Sequence, residues 1–440
     1  MSKLRRGVPL LVATVLMVTG SHASPRGSVD FEAVTAAPDP ERIDPPTPSA
    51  TGAGPLELEV SRAALGERAA SSARIAVATS AQRDGPPLPP PARVEPGAVE
   101  RAIPSRASAA TREPRTLRAC PLDSAQPDCR YAGLQEALGA ALPGDEVVLA
   151  PGVYEEGAVI ATPHLVLRGE PGAHLRGHAV EGKAALVVKA NNVLIEGIEC
   201  SDIAVRDNNG ACIRVEGDDL TVRNVYFHDN QEGILSGPGG GVLLVEGSLF
   251  ERNGFGGQAH GVYIGPTVET FVFRGNRILA TTGAGHGLKS RAQQTIVENS
   301  VIAGLDGHDS RAIDLPNGGE VVIRGNVLEK GPHSDNGQMI GLALEGPLHG
   351  VNEALIENNL VIFDTLPVGL VQSLGQALGL MPPKGTVLRS ESPGEVILRN
   401  NIIVGAREIG GGAIEQDNRI HQSRREAGLP PYPALPDSLR

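Results

Sequence analysis

The sequence of 440 residues contains no tryptophan, and only 3% of its residues are aromatic. Aromatic side chains usually supply much of the buried area of a globular core, so aliphatic residues must replace them here. The 55 glycines and 35 prolines favour short strands that are joined by tight turns. Four cysteines are too few for a fold that is held together mainly by disulfides.

Positive charge is also scarce, since the formal net charge is −12 at pH 7. A protein that binds duplex nucleic acid needs a basic surface for the phosphates, so a nucleic-acid partner is excluded. Few of the 39 basic residues are lysines. Each lysine is therefore informative, because a lysine can lose its proton in a suitable environment whereas an arginine practically cannot.

The N-terminus has the pattern of a secretory signal peptide over residues 1–23. Lys3, Arg5 and Arg6 precede an apolar stretch from Val8 to Val18, and Ser21-His22-Ala23 fits a cleavage site. The apolar stretch is too short to span a bilayer. We therefore expect a secreted or periplasmic protein without a membrane span after signal removal. An uncleaved N-terminal anchor is the alternative interpretation.

The composition divides the rest of the chain into three parts. Residues 24–115 are rich in alanine and proline without any durable period, which predicts a disordered linker. Residues 116–410 contain a repeat and form the predicted folded domain. Residues 411–440 are polar and contain Pro430-Pro431, so we expect a loose C-terminal tail.

The folded domain contains all four cysteines. Cys120 and Cys129 enclose a short loop, and we expect a disulfide there after export. Cys200 and Cys212 lie within one repeat. The sequence leaves open whether Cys212 is a buried thiol or the partner of Cys200.

Two sets of short β-rich segments recur through this domain in phase with each other. The first set ends in Gly or Asn at intervals of 23 to 42 residues: Leu194–Gly197, Thr221–Asn224, Leu244–Gly247, Val272–Gly275, Ile296–Asn299, Val322–Gly325, Leu355–Asn358 and Ile397–Asn400. The second set is Ala211–Arg214, Gly233–Ser236, Gly261–Ile264, Gly287–Ser290, Ala312–Leu315 and Gly341–Leu344. Such self-similarity indicates a solenoid with at least two strands in each coil.

Two further patterns fit a β-solenoid. Asn276, Asn326, Asn359 and Asn401 each follow the last residue of a first-set segment, which predicts an inward asparagine ladder with amides bonded from coil to coil. Before the repeats, residues Tyr131 to Leu142 have helical spacing, with leucines at positions 134, 138 and 142, and predict a helix that ends at Pro143-Gly144.

These features resemble the right-handed parallel β-helix proteins of the pectate-lyase-like superfamily over about residues 116–410. The segment from Pro143 to Tyr154, with the helix before it, is similar to the N-terminal cap of that superfamily. The resemblance implies an all-β fold, a right-handed parallel β-helix (β-solenoid) with a short N-terminal capping helix. One fold hosts many functions, so the chemistry must come from the residues of the site.

Ionisable residues of the second set share one predicted outer face. Successive coils place Leu235, Tyr263, Lys289, Asp314 and Ala343 in one outward column because side chains alternate along a strand. A second column contains Glu232, His260, His286, Arg311 and Ile340, and a third contains Arg291, Pro316 and Glu345. The candidate catalytic residues are Tyr263, His286, Lys289 and Arg311. The candidate substrate-binding residues are His260, Arg291, His308, Asp314, Asn317 and Glu345.

Lys289 is the predicted general base, because Arg291 and Arg311 beside it would favour its neutral form. Cations would also neutralise the carboxylate of a uronic-acid substrate and so acidify its C5 proton. Tyr263 or a histidine would assist the departure of the C4 oxygen. Lys289-Ser290 resembles the Lys-Ser of the chondroitinase-B and alginate-lyase group, which implies Lys289 as base.

The chain departs from that group at two points. Pro316 occupies the position where the group has its assisting arginine, so Arg311 or Arg291 would have to act instead. The acidic calcium ligands of the group have no clear counterpart here. The cofactor therefore stays unknown, with Ca²⁺ as the ion that the resemblance suggests and no assigned metal ligands.

Each candidate also has a structural interpretation. Lys289 and Asp314 on adjacent coils could form a plain cross-strand ion pair. His260 and His286 could close turns, or could bind a metal together with Asp314, although no short ligand spacing supports a metal. Asp314 and Glu345 are the only carboxylate pair that could serve glycoside hydrolysis.

The sequence therefore predicts an exported, carbohydrate-active monomer that acts on an acidic polysaccharide. A polysaccharide lyase that cleaves by β-elimination is the first hypothesis. A C5-epimerase shares the proton abstraction and is the nearest alternative. A glycan-binding or cell-surface protein without catalysis is the alternative from a different class.

Overall fold

The computed structural model describes residues 112–124, 128–364 and 385–436. The predicted signal peptide (1–23) and most of the predicted linker (24–115) lie outside the described residues. The described ranges contain 33 strands and one helix, α1 (Leu134–Ala140).

The first strands are β1 (Thr116–Cys120), β2 (Tyr131–Ala132), β3 (Glu146–Leu149), β4 (Gly152–Tyr154), β5 (Ala158–Ile160), β6 (Val166–Gly169), β7 (Ala173–Arg176), β8 (Ala184–Val188), β9 (Val193–Glu196), β10 (Glu199–Ser201) and β11 (Ala211–Val215). They are followed by β12 (Leu220–Arg223), β13 (Tyr226–His228), β14 (Glu232–Ser236), β15 (Val242–Glu246), β16 (Leu249–Glu251), β17 (Val262–Ile264), β18 (Thr270–Arg274), β19 (Arg277–Leu279), β20 (Leu288–Ser290), β21 (Gln294–Glu298) and β22 (Val301–Ala303). The last are β23 (Ile313–Leu315), β24 (Glu320–Arg324), β25 (Val327–Lys330), β26 (Gln338–Leu342), β27 (Glu353–Glu357), β28 (Leu360–Phe363), β29 (Thr386–Ser390), β30 (Val396–Arg399), β31 (Ile402–Val404), β32 (Ile414–Gln416) and β33 (Arg419–His421).

These strands form three sheets in which every pairing is parallel. Sheet 1 has 13 strands in the order β2-β1-β3-β6-β9-β12-β15-β18-β21-β24-β27-β30-β32. Sheet 2 has 11 strands, β33-β31-β28-β25-β22-β19-β16-β13-β10-β7-β4, and sheet 3 has nine, β29-β26-β23-β20-β17-β14-β11-β8-β5. Each full coil therefore contributes one strand to each sheet, and the predicted parallel β-helix is confirmed. The third strand of each coil is additional to the two that the sequence indicated.

The core lies inside the coils, where alternate residues of each strand point inward. One continuous cluster of buried residues extends from Leu117 to Ile403. The scarce aromatic residues are concentrated here: the rings of Phe227 and Phe250 on adjacent coils stack with centroids 4.4 Å apart. Coil-to-coil stacking thus lets aliphatic residues and a few phenylalanines form a core without tryptophan.

The predicted asparagine ladder is present at the turn between sheets 1 and 2. Asn326 Nδ2 donates to Asn359 Oδ1 at 3.0 Å, and Asn359 Nδ2 donates to Asn401 Oδ1 at 3.0 Å. The ladder continues to Asn418 through Asn401 Nδ2, at 2.9 Å. Below Asn326, Ser300 stands between the asparagines and bonds Asn276 through its hydroxyl. This is the structural role that the spacing predicted.

Two predicted features at the ends of the domain differ in extent. The predicted helix spans only Leu134–Ala140, because Tyr131–Ala132 already pairs with β1 as a strand. The expectation of a loose tail is wrong for residues 414–421, which form β32 and β33 at the end of the solenoid. No described coil lies above these strands, so their residues are largely exposed and their sequence lacks a strong apolar pattern.

Both cysteine pairs form disulfides. Cys120 is bonded to Cys129, as expected, and Cys200 is bonded to Cys212, which settles the question that the sequence left open. In the described ranges, no helix has the length and apolar composition that a bilayer crossing needs.

Candidate active site

The outward column of sheet 3 brings Tyr263, Lys289 and Asp314 next to one another. Lys289 is paired with Tyr263 of the preceding coil and with Asp314 of the following coil. The register at Leu235 below Tyr263 is also as predicted. Three residues separated by 25 or more positions in sequence thus lie on three successive rungs, about 4.8 Å apart.

The prediction is wrong at the next rung. Gly341, rather than Ala343, is paired with Asp314, and Ile340 is paired with Ile313. Ile340 and Leu342 are two residues apart, and either can fill the inward position, so a slip by two residues preserves the alternation. Ala343, which was expected to face outward, is completely buried.

The second column forms a chain of hydrogen bonds parallel to the solenoid axis. The His260 N–H donates to Glu232 Oε1 at 3.1 Å, and the His286 N–H donates to His260 Nδ1 at 3.1 Å. The Arg311 N–H then donates to His286 Nδ1 at 3.0 Å. Arg311 Nη2 donates to Gln338 Oε1 at 2.7 Å. The corrected register thus puts Gln338 in the position assigned to Ile340.

These bonds determine the tautomer of both histidines. Because Nδ1 of His260 and of His286 accepts a backbone N–H, the ring proton of each neutral imidazole is on Nε2. Burial, together with Lys289, lowers the pKa of His260 to about 3. Burial, together with His260 and Lys289, lowers the pKa of His286 to about 2. Both rings are therefore neutral hydrogen-bond donors at Nε2, and neither is a ready source of a proton from imidazolium.

Asp314 is the buried centre of the cluster. Its side chain is 3% exposed, and Oδ1 accepts from Arg311 Nη1 at 3.1 Å. Oδ2 lies 3.4 Å from His286 Nε2 and 3.7 Å from Lys289 Nζ. Burial raises the pKa of Asp314 in spite of these neighbours. A Cβ atom at Gly341 would lie 2.7 Å from Asp314 Oδ1 and from Arg311 Cδ, so the glycine makes room for this ion pair.

A more exposed half of the cluster is organised by Arg291. Its Nε donates to the Tyr263 hydroxyl at 3.0 Å, and its Nη1 donates to Asn317 Oδ1. Its Nη2 lies 2.7 Å from Glu345 Oε2, and Glu345 Oε1 lies 3.6 Å from Lys289 Nζ. Glu345 is half exposed, so its carboxylate bridges two cations at the solvent edge of the site. Lys289 Nζ also lies 5.8 Å from the centroid of the Tyr263 ring.

The structure therefore brings together nine of the ten predicted site residues and leaves out one. His308 is largely exposed; its ring stacks on His333, and its Nδ1 lies 3.9 Å from Asp335 Oδ1. None of its described contacts involves the cluster. The turn that carries His308 was expected to adjoin the site, but the His308 side chain contacts His333 and Asp335 instead.

The surroundings of Lys289 also differ from the prediction. The sequence suggested a lysine flanked by the cations Arg291 and Arg311, whereas two carboxylates, Asp314 and Glu345, face its ammonium group. Both carboxylates are already paired with cations. A Ca²⁺ ion needs six to eight oxygen ligands, so this cation-rich cluster does not fit Ca²⁺.

Two members of the cluster were not among the candidate site residues: Glu232, which the sequence placed in the second column without a role, and Gln338. Glu232 is 1% exposed, burial raises its pKa well above the usual range, and its Oε2 has no hydrogen-bond partner among the described residues. Gln338 was hidden by the register slip. The available signal was the position two residues before the inward aliphatic residue, which reads Glu232, His260, His286, Arg311 and Gln338 in successive coils.

The family whose sequence model matches is described as "Right handed beta helix region", and the match covers residues 175–343. No curated protein matches the chain. The matched residues lie within the stacked coils and include most of the polar cluster.

Three of the solved structures that match the chain are the following. An alginate lyase from Paenibacillus sp. strain FPU-7 is 19% identical, with 70% of this chain and 99% of that chain covered and a TM-score of 0.48. A pectate lyase, Pel9A, is 15% identical, with 73% and 82% covered and a TM-score of 0.40. The A-module of a mannuronan C-5 epimerase from Azotobacter vinelandii is 16% identical, with 63% and 87% covered and a TM-score of 0.29.

Identities this low concern the fold alone. The family match and the three parallel sheets agree on the architecture. The chain is a right-handed parallel β-helix.

Proposed function

We propose that the protein is an exported polysaccharide lyase that cleaves a uronic-acid polymer by β-elimination at the Tyr263–Lys289–Asp314 cluster. The observation that carries the proposal is the convergence of three cations, Lys289, Arg291 and Arg311, with a tyrosine on one outer face. The two disulfides support export, because disulfides persist in oxidising compartments.

The half-exposed carboxylate of Glu345 marks the place for the substrate carboxylate. Its close contact with Arg291, at 2.7 Å, is the one that we assign to a uronate after it has displaced Glu345. Arginine suits this role because its planar guanidinium binds carboxylates with two parallel hydrogen bonds. Neutralising the substrate carboxylate acidifies the C5 proton. Binding and activation would thus use the same arginine, and Lys289 is left for proton abstraction.

Lys289 is the group that we assign to proton abstraction. In the reaction the C5–H bond breaks, the proton goes to the Lys289 amine, a double bond forms between C4 and C5, and the C4–O bond breaks. Lys289 must be neutral at the start. Asp314, whose Oδ2 lies 3.7 Å from Lys289 Nζ, is the buried carboxylate that we assign as acceptor of the lysine proton.

Tyr263 is the group that we assign to protonation of the departing C4 oxygen. His260 and His286 are poor candidates because their depressed pKa values keep them neutral. The Tyr263 hydroxyl accepts a hydrogen bond from Arg291 Nε, which stabilises negative charge on the oxygen after it has given up its proton. The Nε2–H of His286 faces Asp314 Oδ2 at 3.4 Å, so this ring helps to orient the Asp314 carboxylate.

The test is the ultraviolet absorbance of unsaturated uronide product from a panel of uronic-acid polymers. We expect activity on at least one polymer and a loss of about 100-fold or more in Lys289→Ala and in Tyr263→Phe, since acid–base groups contribute about 10²–10⁴-fold. Lys189→Ala is the matched control, because Lys189 is a surface lysine whose ion pair with Glu181 lies outside the cluster.

Three outcomes would overturn the proposal. One is no product with any polymer, and another is full activity of Lys289→Ala. The third is solvent deuterium at C5 without new absorbance, which would identify a C5-epimerase. Glycan binding without turnover that survives substitution of Lys289, His286 and Arg311 would favour a binding protein.

A further inference from the structure

Three potential metal ligands project from the outer face of sheet 2, on three successive coils. His174 is on β7, Glu199 on β10 and His228 on β13. Glu199 is paired with His174 of the preceding coil. Ser201, two residues after Glu199 in the same strand, is paired with His228 of the following coil. The residues between them point inward, so Glu199 and the two histidines share one outer face. This group belongs to a different sheet from the proposed active site.

The ligand atoms converge on one point. Glu199 Oε1 lies 3.2 Å from His228 Nε2 and 3.7 Å from His174 Nδ1. One atom from each of the three residues can be chosen so that all three lie within 4.8 Å of one another. Two atoms bound to Zn²⁺ at about 2.0–2.1 Å in tetrahedral geometry lie about 3.3 Å apart. The observed separations therefore need only small side-chain adjustments to hold such an ion.

Hydrogen bonds behind the histidines leave lone pairs at the converging nitrogens. Ser201 Oγ donates its proton to Asp202 Oδ2 at 2.9 Å, so it must accept from His174 Nε2, 2.8 Å away. This arrangement puts the His174 ring proton on Nε2 and leaves Nδ1 free to bind.

Asp229 has the same effect on the other ring. His228 Nδ1 lies 2.8 Å from Asp229 Oδ2, which can only accept, so the ring proton is on Nδ1 and Nε2 is left with its lone pair. Such a carboxylate behind a histidine orients the ring and raises its basicity as a ligand.

We propose that His174 Nδ1, Glu199 Oε1 and His228 Nε2 form a binding site for a divalent transition-metal ion of the zinc class. Two neutral imidazoles and a carboxylate all present electron pairs to the same space, an arrangement that a cation stabilises. Two histidines with one carboxylate suit zinc and related ions, whereas Ca²⁺ and Mg²⁺ prefer oxygen ligands alone. The ion would tie three coils together and keep an open coordination position, because the ligands are partly exposed.

The test uses the full chain after treatment with a chelator. Cobalt(II) is the probe, because its visible absorption reports nitrogen and oxygen ligation, and zinc is then added in competition. We expect one Co²⁺ per chain, displacement by zinc and a higher midpoint of thermal unfolding with zinc. Ca²⁺ should compete poorly.

Variants assign the signal to these residues. Glu199→Gln keeps the shape of the side chain, and we expect it and His228→Ala to abolish the specific cobalt spectrum. Asp229→Asn should weaken affinity by about 10–100-fold, as loss of a partner behind a ligand usually does. His308→Ala is the matched control, since His308 also lies between a second histidine and a carboxylate.

Circular dichroism checks that each variant is folded. The proposal is overturned if the folded wild-type protein binds no cobalt, or if Glu199→Gln and His228→Ala bind it as the wild type does. Such a result would mean that His228 is a protonated bridge between Glu199 and Asp229. The readout does not depend on lyase activity, so the two proposals can fail separately.

Discussion

The buried lysine of β25 offers a direct test of how the coil that carries Arg311 is stabilised. The Lys330 side chain is completely buried, and its Nζ lies 2.7 Å from Asp309 Oδ2. Nζ also donates to the Ser310 carbonyl, immediately before Arg311. We predict that Lys330→Met destabilises the protein strongly.

The magnitude follows from what the substitution leaves behind. The Asp309 side chain is only 4% exposed, and its other oxygen, Oδ1, has no hydrogen-bond partner in the described structure. Removal of the ammonium leaves an uncompensated buried carboxylate, which costs about 3–5 kcal/mol in the free energy of unfolding. The Ser310 carbonyl loses a donor at the same time.

A double substitution separates loss of the pair from loss of one partner. Replacing both members with apolar residues, Asp309→Leu with Lys330→Met, removes the orphaned charge and should recover at least half of the lost stability. The assay is urea unfolding of the full chain, followed by circular dichroism. Lys189→Met is the control, because Lys189 is in a partly exposed ion pair and its loss should cost at most about 1 kcal/mol.

The reasoning is refuted if Lys330→Met unfolds with a free energy within about 1 kcal/mol of the wild type, since a desolvated pair cannot be broken so cheaply. It is also refuted if the double variant is as unstable as the sum of the two single variants, because the penalty would then come from packing and not from charge.

Two further predictions concern buried polar groups. Asn359→Ala deprives the Asn326 N–H and the Ile323 carbonyl of their ladder partner, so the free energy of unfolding in urea should fall by about 2–4 kcal/mol. The control is the exposed Asn191→Ala, which should cost at most about 1 kcal/mol. Equal losses in the two variants would contradict the structural role of the ladder. Burial, together with Asp364, raises the pKa of Glu329 to about 8 from its usual 4.5. Folded wild-type protein therefore keeps a proton that the unfolded chain releases, and it loses stability as the pH rises from about 4.5 to 8. Glu329→Gln should remove this loss, and a stability difference between the two proteins that is independent of pH would refute the assignment.

The fold was predictable because similar strand segments recur along the sequence at comparable intervals. The strands of sheets 1 and 3 recur in phase, and stacking is the arrangement that buries their apolar faces. Sheet 2 escaped prediction because many of its strands have three residues with a single inward side chain, such as Phe227 in β13 or Phe250 in β16. One buried residue between two partly exposed ones does not make a recognisable run.

The candidate site was predictable only as far as the register of sheet 3. Tyr263, Lys289 and Asp314 lie in one column as predicted, but the next rung slipped by two residues. The spacing of the repeats also does not predict which side chains from outside the strands contact the site. Glu345 contacts Lys289 and Arg291 from beyond the strand, and this contact changes the charge around the proposed base.

Charge explains why register is well defined in sheet 1 and ambiguous in sheet 3. The last outward residue of the sheet 1 strands alternates in sign along the axis, and the series reads Glu196, Arg223, Glu246, Arg274, Glu298, Arg324, Glu357 and Arg399. Arg274, for example, lies 3.1 Å from Glu246 and 3.6 Å from Glu298. Each such pair contributes little free energy alone, but a slip of one strand by two residues would move its charged residue away from both oppositely charged neighbours.

The polar columns of sheet 3 have no such period. Tyr, Lys and Asp follow one another in the outward column, and Glu, His, His, Arg and Gln follow one another beside it. A column without alternating charge does not help to specify the stacking in this way. Burying Glu232, His260 and Asp314 costs desolvation free energy that the scaffold must offset. The regular part of the solenoid must therefore offset the cost of the desolvated residues in sheet 3. A costly, non-repeating set of buried polar residues in a repeat protein is the physical reason to seek the chemistry at Lys289 and its neighbours.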